Sequence, residues 1–297
     1  SSLVDLGTLS TAIGNDEFSN DSGFTTITVS DTTIDITTLT STIDTYDSIN
    51  ESGTTMMTLV GGATINSGDQ AAFLTLLDKS NNGLITLTDQ NLTIDSGSIN
   101  VGNANALAAI TTGTITSAID TTESVDSLKT LTGTNNAFTI VISSADATGS
   151  TASELTAIDN ATTADVNASA ITEISGTYDE ITALYESSGL TGLGDENLTV
   201  SGSINVGNAN ALDALTTGTI TAAIDTTEPV DNLKTLTGTN AYTIVVSTED
   251  SSVSASDLNV INGLTAVAVD LTNVNTLSSS SLVDLGTLST AIGNDEF

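Results

Sequence analysis

The first eighteen residues and the last eighteen are the same. SSLVDLGTLSTAIGNDEF occupies both 1–18 and 280–297, identical at every position and 279 residues apart. Self-similarity at a fixed offset marks a repeat architecture, in which a small unit stacks on its neighbours because it cannot bury a core alone. The offset predicts one tandem unit over 1–279, with 280–297 opening the next identical unit. A second repeat lies inside. SINVGNANALAAITTGTITSAIDTTESVDSLKTLTGT (98–134) aligns with SINVGNANALDALTTGTITAAIDTTEPVDNLKTLTGT (203–239) at an offset of 105, with 32 of 37 positions identical. The internal copies have diverged and the end copies have not, as expected if a short repeat built a long unit that was duplicated later.

A finer period runs through both. Runs rich in β-branched residues recur at 25–29, 55–60, 84–88, 114–116, 138–142, 243–246 and 265–269, and such residues suit a pleated surface. Between them, apolar residues step at helical spacing: Ile36, Leu39, Ile43 and Tyr46; Ile174, Tyr178, Ile181 and Tyr185; Val125, Leu128 and Leu131; Leu285, Leu288 and Ile292. Thr151 with Glu154, Ser254 with Asp257 and Ser67 with Gln70 have capping-box spacing. Gly133, Gly238 and Gly263 stand where a left-handed C-cap is needed. Pro229 replaces Ser124 of the sister copy at a helix start, where Pro is tolerated. Strand, turn and short helix thus recur about every 22–30 residues, giving about ten rungs per unit. Parallel strands joined by helical crossovers predict a right-handed α/β solenoid. The alternative is an all-β solenoid, because strands stack at ~4.8 Å while helices need ~10 Å, so helices on every rung force curvature.

Charge restricts function. The chain carries 37 Asp+Glu against 3 Lys, with no Arg, His or Cys, for a net charge of -34. Three lysines cannot displace the counterions of a nucleic acid or bind an anionic membrane surface. Without His, Cys or Arg there is no histidine base, thiolate, imidazole ligand or bidentate phosphate clamp. Only paired carboxylates could support catalysis, and nothing singles out one pair, so the chain reads as a non-enzyme. No apolar run reaches the ~20 residues of a spanning helix. Self-repulsion of this size is relieved by salt or divalent cations, which fits a saline, calcium-containing extracellular medium. With Ser1 in first place and no signal peptide, the chain reads as a stretch of something longer, or a processed product.

The strings TTGTITAAID, LKTLTGTNAYTIVVS and SASDLNVINGLTAVAVD resemble the repeats of giant acidic, Thr-rich, Cys-free cell-surface proteins of marine cyanobacteria and similar bacteria. The resemblance is best over 90–180 and 197–275. It implies a secreted or surface-attached structural polymer, an extracellular filament or S-layer whose partners are copies of itself, end to end or as tandem units. The alternative is the spacer or stalk of a large adhesin.

DKSNNGLITLTD (78–89) has EF-hand loop spacing. Asp78, Ser80 and Asn82 fall at positions 1, 3 and 5, Gly83 at the sharp turn, the Leu84 carbonyl at 7, Thr86 at 9 and Asp89 at 12. The preceding AAFLTLL is helix-like, as in the EF-hand and dockerin modules that this segment resembles. These residues form the candidate Ca2+ site, of millimolar-range affinity because only two carboxylates line it. Asp16 and Asp21, in GNDEFSNDSG, form a second candidate, and GLGDEN (192–197) is a similar acidic segment. Duplicated Lys129 and Lys234 read as surface ion pairs. Asp120/Glu123 and Asp225/Glu228 read as acids complementing the dipoles of the helices they precede. Asn-x-Ser/Thr sequons stand at Asn20, Asn50, Asn91, Asn160, Asn167 and Asn197, and in so Thr-rich a chain most arise by chance.

Overall fold

The computed structural model describes residues 1–14, 26–49, 56–133, 135–278 and 280–297. In chain order the elements begin α1 (Leu3–Gly14), β1 (Thr26–Val29), β2 (Thr33–Asp35), α2 (Ile36–Ile49), β3 (Met56–Leu59), β4 (Thr64–Asp69), α3 (Gln70–Asn81), β5 (Ile85–Thr86), β6 (Asn91–Ile99) and α4 (Val101–Ala108). They continue β7 (Ile115–Ile119), α5 (Val125–Leu128), β8 (Ala137–Val141), β9 (Ser150–Thr151), α6 (Ala152–Asn160), β10 (Val166–Asn167), β11 (Glu173–Gly176), α7 (Tyr178–Glu186) and β12 (Leu190–Thr191). The last are β13 (Asn197–Ile204), α8 (Val206–Asp213), β14 (Ile220–Ile224), α9 (Val230–Leu233), β15 (Ala241–Thr243), β16 (Ser252–Val253), α10 (Ala255–Asn262), β17 (Thr276–Leu277) and α11 (Leu282–Gly293). Strands and helices alternate and the sheets are parallel, so the fold is α/β. The all-β alternative fails because the helical spacing between strands produces true α-helices.

Two compact units divide the chain: residues 1–143 with 157–167, and residues 144–156 with 168–297. In the first unit, β1, β3 and β5 pair in sequence order, and so do β2, β4, β6, β7, β8 and β10. Every pairing is parallel, each strand joining the one a repeat further on: Thr26 with Met56, Thr64 with Asn91, Thr116 with Ala137. Alternation along each strand turns one side chain in two inward. Ile34, Ile65, Leu92 and Ile115 form a buried ladder through successive pairings. Each such side chain removed from water contributes about 1.5–3 kcal/mol. Helices α2, α3 and α4 bury the matching stripe, Ile36, Leu39, Ile43 and Tyr46 on α2 and Phe73 and Leu76 on α3. Successive helices α1, α2, α3 and α4 pack on one another.

The second unit repeats the scheme. β9, β11, β13, β14 and β15 pair in order, and Ile174, Leu198 and Ile220 form its buried ladder. The internal repeat becomes the pair β6–α4–β7–α5 and β13–α8–β14–α9. It begins earlier than the ungapped alignment indicates, because QNLTIDSGSIN (90–100) corresponds to ENLTVSGSIN (196–205) with one extra residue. Both β6 and β13 shift register in mid-strand, with Gly97 at φ 77° and Gly202 at φ 83°. The extra residue is taken up in that bulge.

Several local expectations change. Ile174 belongs to β11, so the helix there begins only at Tyr178, and Leu131 lies beyond the end of α5. Residues 265–269 form no strand, with isolated bridges at Thr265 and, just beyond, at Asp270. The Ser67/Gln70 capping box does not form. Asp69 caps α3, accepting from the Ala72 N–H, while Ser67 takes φ 68° in β4. Gly263 caps α10 in a right-handed conformation at φ -70°, and Gly133 and Gly238, though left-handed, lie beyond the C-caps of α5 and α9, which are Lys129 and Lys234. The Thr151/Glu154 and Ser254/Asp257 caps form as read.

Candidate functional site

Helix α3 runs to Asn81 and therefore through the first four positions of the EF-hand-like segment. Asp78 and Ser80 sit two residues apart in its last turn. On a helix that spacing points side chains about 200° apart, so the two do not converge on one ion. The chain then ends the helix with a Schellman motif. Leu84 N–H donates to the Lys79 carbonyl and Gly83 N–H to the Ser80 carbonyl, with Gly83 at φ 74°. Asn82 is the C-cap, its N–H bonded to the Asp78 carbonyl. The Leu84 carbonyl, which an EF-hand would turn to calcium, accepts from Met57 N–H at 2.7 Å. Thr86 lies on β5 with its hydroxyl against the Met56 Sδ. Asp89 Oδ1 accepts from Gly62 N–H at 3.1 Å and from the Gln90 amide at 3.2 Å. Geometry that resembled a cation loop in sequence is a helix end followed by a strand.

Asp16 and Asp21 lie outside the described residues. Their motif recurs at 293–297, where Asp295 corresponds to Asp16 and takes φ 59°. Beside it, Glu296 accepts from the Asn262 and Asn294 amides. Among the described residues no group of three or more acidic side chains is placed to hold a metal.

The acids instead join one repeat to the next. Glu123 Oε1 accepts the Val101 N–H at 3.0 Å, and Glu228 Oε1 accepts the Val206 N–H at 3.1 Å. Those are the first amides of α4 and α8, one repeat back. The other oxygens of these acids stay on the helices they precede, Glu123 Oε2 accepting from the Ser127 hydroxyl and Glu228 Oε2 from the Asn232 amide, so each acid links two helices rather than serving one. Their side chains reach back to the N-terminal dipole of the neighbouring helix, whose orphan donors favour an anion. Asp31 does the same for Leu3 at 2.7 Å, and Asp250 for Val230 at 2.9 Å. Asp120 and Asp225 accept from Ser98 and Ser203 one repeat back.

Amide side chains provide the same link. Asn91 Oδ1 accepts from Thr114 N–H and Asn197 Oδ1 from Thr219 N–H. Buried Asn136 and Asn240 accept from Ile115 and Ile220. Asn105 and Asn210 each bind both a carbonyl and an N–H of the following repeat. Asn91 and Asn197 head sequons, and these bonds give them a structural role.

Sequence reasoning missed one buried pair. Glu196 in the GLGDEN segment is fully buried. Its Oε2 accepts from the Tyr185 hydroxyl at 2.6 Å, and its carboxylate accepts from Gly194 N–H. Burial first, and then the Glu196 carboxylate, push the Tyr185 hydroxyl far above the usual phenol range. The sister position holds neutral Gln90, also buried. The signal in the sequence is this Gln/Glu exchange at a repeated position, which one gap between 90–100 and 196–205 brings into line.

No protein-family model, curated protein or solved structure matches this chain.

All three lysines are ion-paired. Lys129 meets Asp126 at 2.5 Å, and Lys234 meets both Asp231 and Asp257 at 2.9 and 2.8 Å, as the surface reading expected. Those partners, Asp257 first, raise the Lys234 ammonium to about 12. Lys79 differs in being buried, with Asp44 on its ammonium. No described helix is long and apolar enough to cross a membrane.

Proposed function

We propose that this chain is a structural repeat protein, a right-handed α/β solenoid that builds an extracellular filament or cell-surface layer from copies of itself and works without catalysis. The observation that carries the reading is the direction in which its polar groups are used. Side-chain acceptors that would line a site in an enzyme instead reach one repeat back, to the first amide of a neighbouring helix or a strand N–H. Strand pairing in strict sequence order, all parallel, supports stacking of successive repeats as the organising principle.

The calcium role is retained in a different form. With no built loop at 78–89, divalent cations act by collecting around the field of 34 uncompensated negative charges. The extracellular setting follows from the same charge, the absence of Cys and the resemblance in composition. Electron microscopy and sedimentation of the purified chain, at ~0.5 M salt with and without millimolar calcium, test the reading. Filaments or sheets are expected. A chain that stays a dispersed monomer under all these conditions would count against a self-assembling polymer.

A further inference from the structure

The internal repeat folds the same backbone twice and fills one position differently. Asn136 and Asn240 are counterparts, each 4% exposed. Each turns its Oδ1 to the first amide of the strand before it, Ile115 of β7 or Ile220 of β14, at 2.9 Å. That bond fixes the amide plane, so the two Nδ2 atoms are aimed alike. A methyl on left-handed Gly133 would lie 2.6 Å from Asn136 Nδ2, and one on left-handed Gly238 would lie 2.8 Å from Asn240 Nδ2. In the second unit Nδ2 has two acceptors beside it, Asp213 Oδ1 at 2.8 Å and the Tyr242 hydroxyl at 3.2 Å. Both change in the first unit, where Ala108 stands for Asp213 and Phe138 for Tyr242. Asn136 Nδ2 donates to the Thr132 carbonyl at 3.1 Å, and its second amide hydrogen meets no acceptor among the described residues.

Where Asp213 stands in the second unit, the first has a cleft of about 270 Å3, walled by Ala108, Thr111, Gly113, Gly133 and Asn136 and lined by no charged residue. A buried N–H without an acceptor is costly, and a group that accepts from it recovers that cost. We propose that this cleft binds a carboxylate group, from a small organic acid or from an acidic side chain of another chain, in the place that Asp213 holds in the second unit. Asp213 is the template for the fit. Its Oδ1 lies 2.3 Å from where a methyl on Gly238 would be, so the carboxylate packs on the bare face of that glycine while it accepts from the amide. Gly133 keeps the same bare face beside Asn136. Thr111 does not compete, because its hydroxyl already donates to the Gln90 carbonyl at 2.7 Å. The field of the acidic chain opposes any anion, but the same chain carries a carboxylate at the equivalent place in its second unit. Salt screens the remaining repulsion.

Nuclear magnetic resonance on the full 15N-labelled chain tests this, with sodium acetate exchanged for sodium chloride at a constant ionic strength of ~0.5 M. The side-chain amide resonances of Asn136 should move saturably, with half-saturation in the millimolar range, while those of Asn240 stay still. Ala108→Asp supplies the carboxylate from within, as Asp213 does, and should weaken the acetate response at least tenfold. Acetamide has the same shape without the charge and should bind more weakly than acetate, because an ionised acceptor makes the stronger hydrogen bond. N-acetyl-aspartate amide separates the two sources. It moves the Asn136 resonances if an acidic side chain enters the cleft and leaves them in place if only small free acids do, and acetate moves them in both cases. Asn136 resonances that ignore acetate overturn the proposal. So does a response of equal size in Ala108→Asp, since the ion would then sit elsewhere, and so does acetamide binding as tightly as acetate. Should Ala108→Asp lose its fold by circular dichroism, Ala108→Asn places a carbonyl oxygen in the same position and carries the same outcomes.

Discussion

A methyl group added at Gly218 would lie 2.2 Å from the Glu196 carbonyl oxygen, and one at Gly113 would lie 2.3 Å from that of Gln90. Both glycines sit in the TTGT turn that closes one repeat against the previous one. There the Thr111 and Thr216 hydroxyls donate to those same carbonyls at 2.7 Å. Backbone meets backbone, so nothing soft can give way. Gly218→Ala should cost about 1–3 kcal/mol, the range for overpacking, while Gly286→Ala, in open space on α11, should gain up to about 1 kcal/mol from helix propensity. Urea midpoints of the two variants against the parent check this, and equal midpoints for Gly218→Ala and parent would refute the close approach. At this scale the sequence was legible where a residue's partner is local. Duplicated Lys129 and Lys234 could be read as surface ion pairs because Asp126 and Asp231 lie one turn away. The bonds of Glu123 to Val101, Asn136 to Ile115 and Glu196 to Tyr185 could not be read, since these partners stand 11 to 22 residues off and spacing alone does not say which repeat face a side chain turns to.

Helices were legible wherever apolar spacing ran for three turns, as in α2. They were misjudged where a strand residue happened to fall in phase, as Ile174 did with Tyr178 and Ile181. Strands β6 and β13 were missed for a physical reason. Their SGS segments, with a left-handed glycine in mid-strand, look like turns by composition, and only pairing with β4 and β7, and with β11 and β14, makes them strands. The 78–89 segment shows the same limit from the other side. A helix C-terminus with Asn and Gly at its end shares the Asp-x-Ser-x-Asn-Gly spacing of a calcium loop, and the two differ only in where the helix stops. Gly83 suits either, and the helix running on to Asn81 decides it, while φ 74° at Gly83 is costly for any residue with a Cβ. Gly83→Ala, with nothing within 4 Å of the added methyl, should therefore lose about 1 kcal/mol through backbone strain alone. Asp78→Ala, on the exposed side of the helix end, should stay within about 0.5 kcal/mol and leave any calcium response unchanged. A calcium-induced rise in melting temperature that disappears in Asp78→Ala would restore the loop as an ion site.

For the molecule as a whole, charge is the term that contacts do not balance. Every lysine is already paired, Lys234 with two acids, and a net charge of -34 remains. Many of the acids accept hydrogen bonds from helix N-termini, and that local support does not cancel the long-range field. Two unit charges 4 Å apart repel by about 1 kcal/mol in water and about 4 kcal/mol at an effective dielectric of 20. Repulsion of this kind weakens as the Debye length falls from about 8 Å at 0.15 M to about 3 Å at 1 M. Melting temperature should therefore climb steadily as sodium chloride rises from 0.05 to 1 M. Calcium should act at lower concentration than sodium because a divalent ion gathers more strongly in the same field, and its effect should be graded, with no sharp saturation. A built site would behave otherwise, since binding to the folded state alone stabilises by mass action and turns on around the dissociation constant. Calorimetric scans at matched ionic strength separate the two. A melting temperature insensitive to salt would mean that the acids are already neutralised in the fold, against the charge count and the pairings of all three lysines.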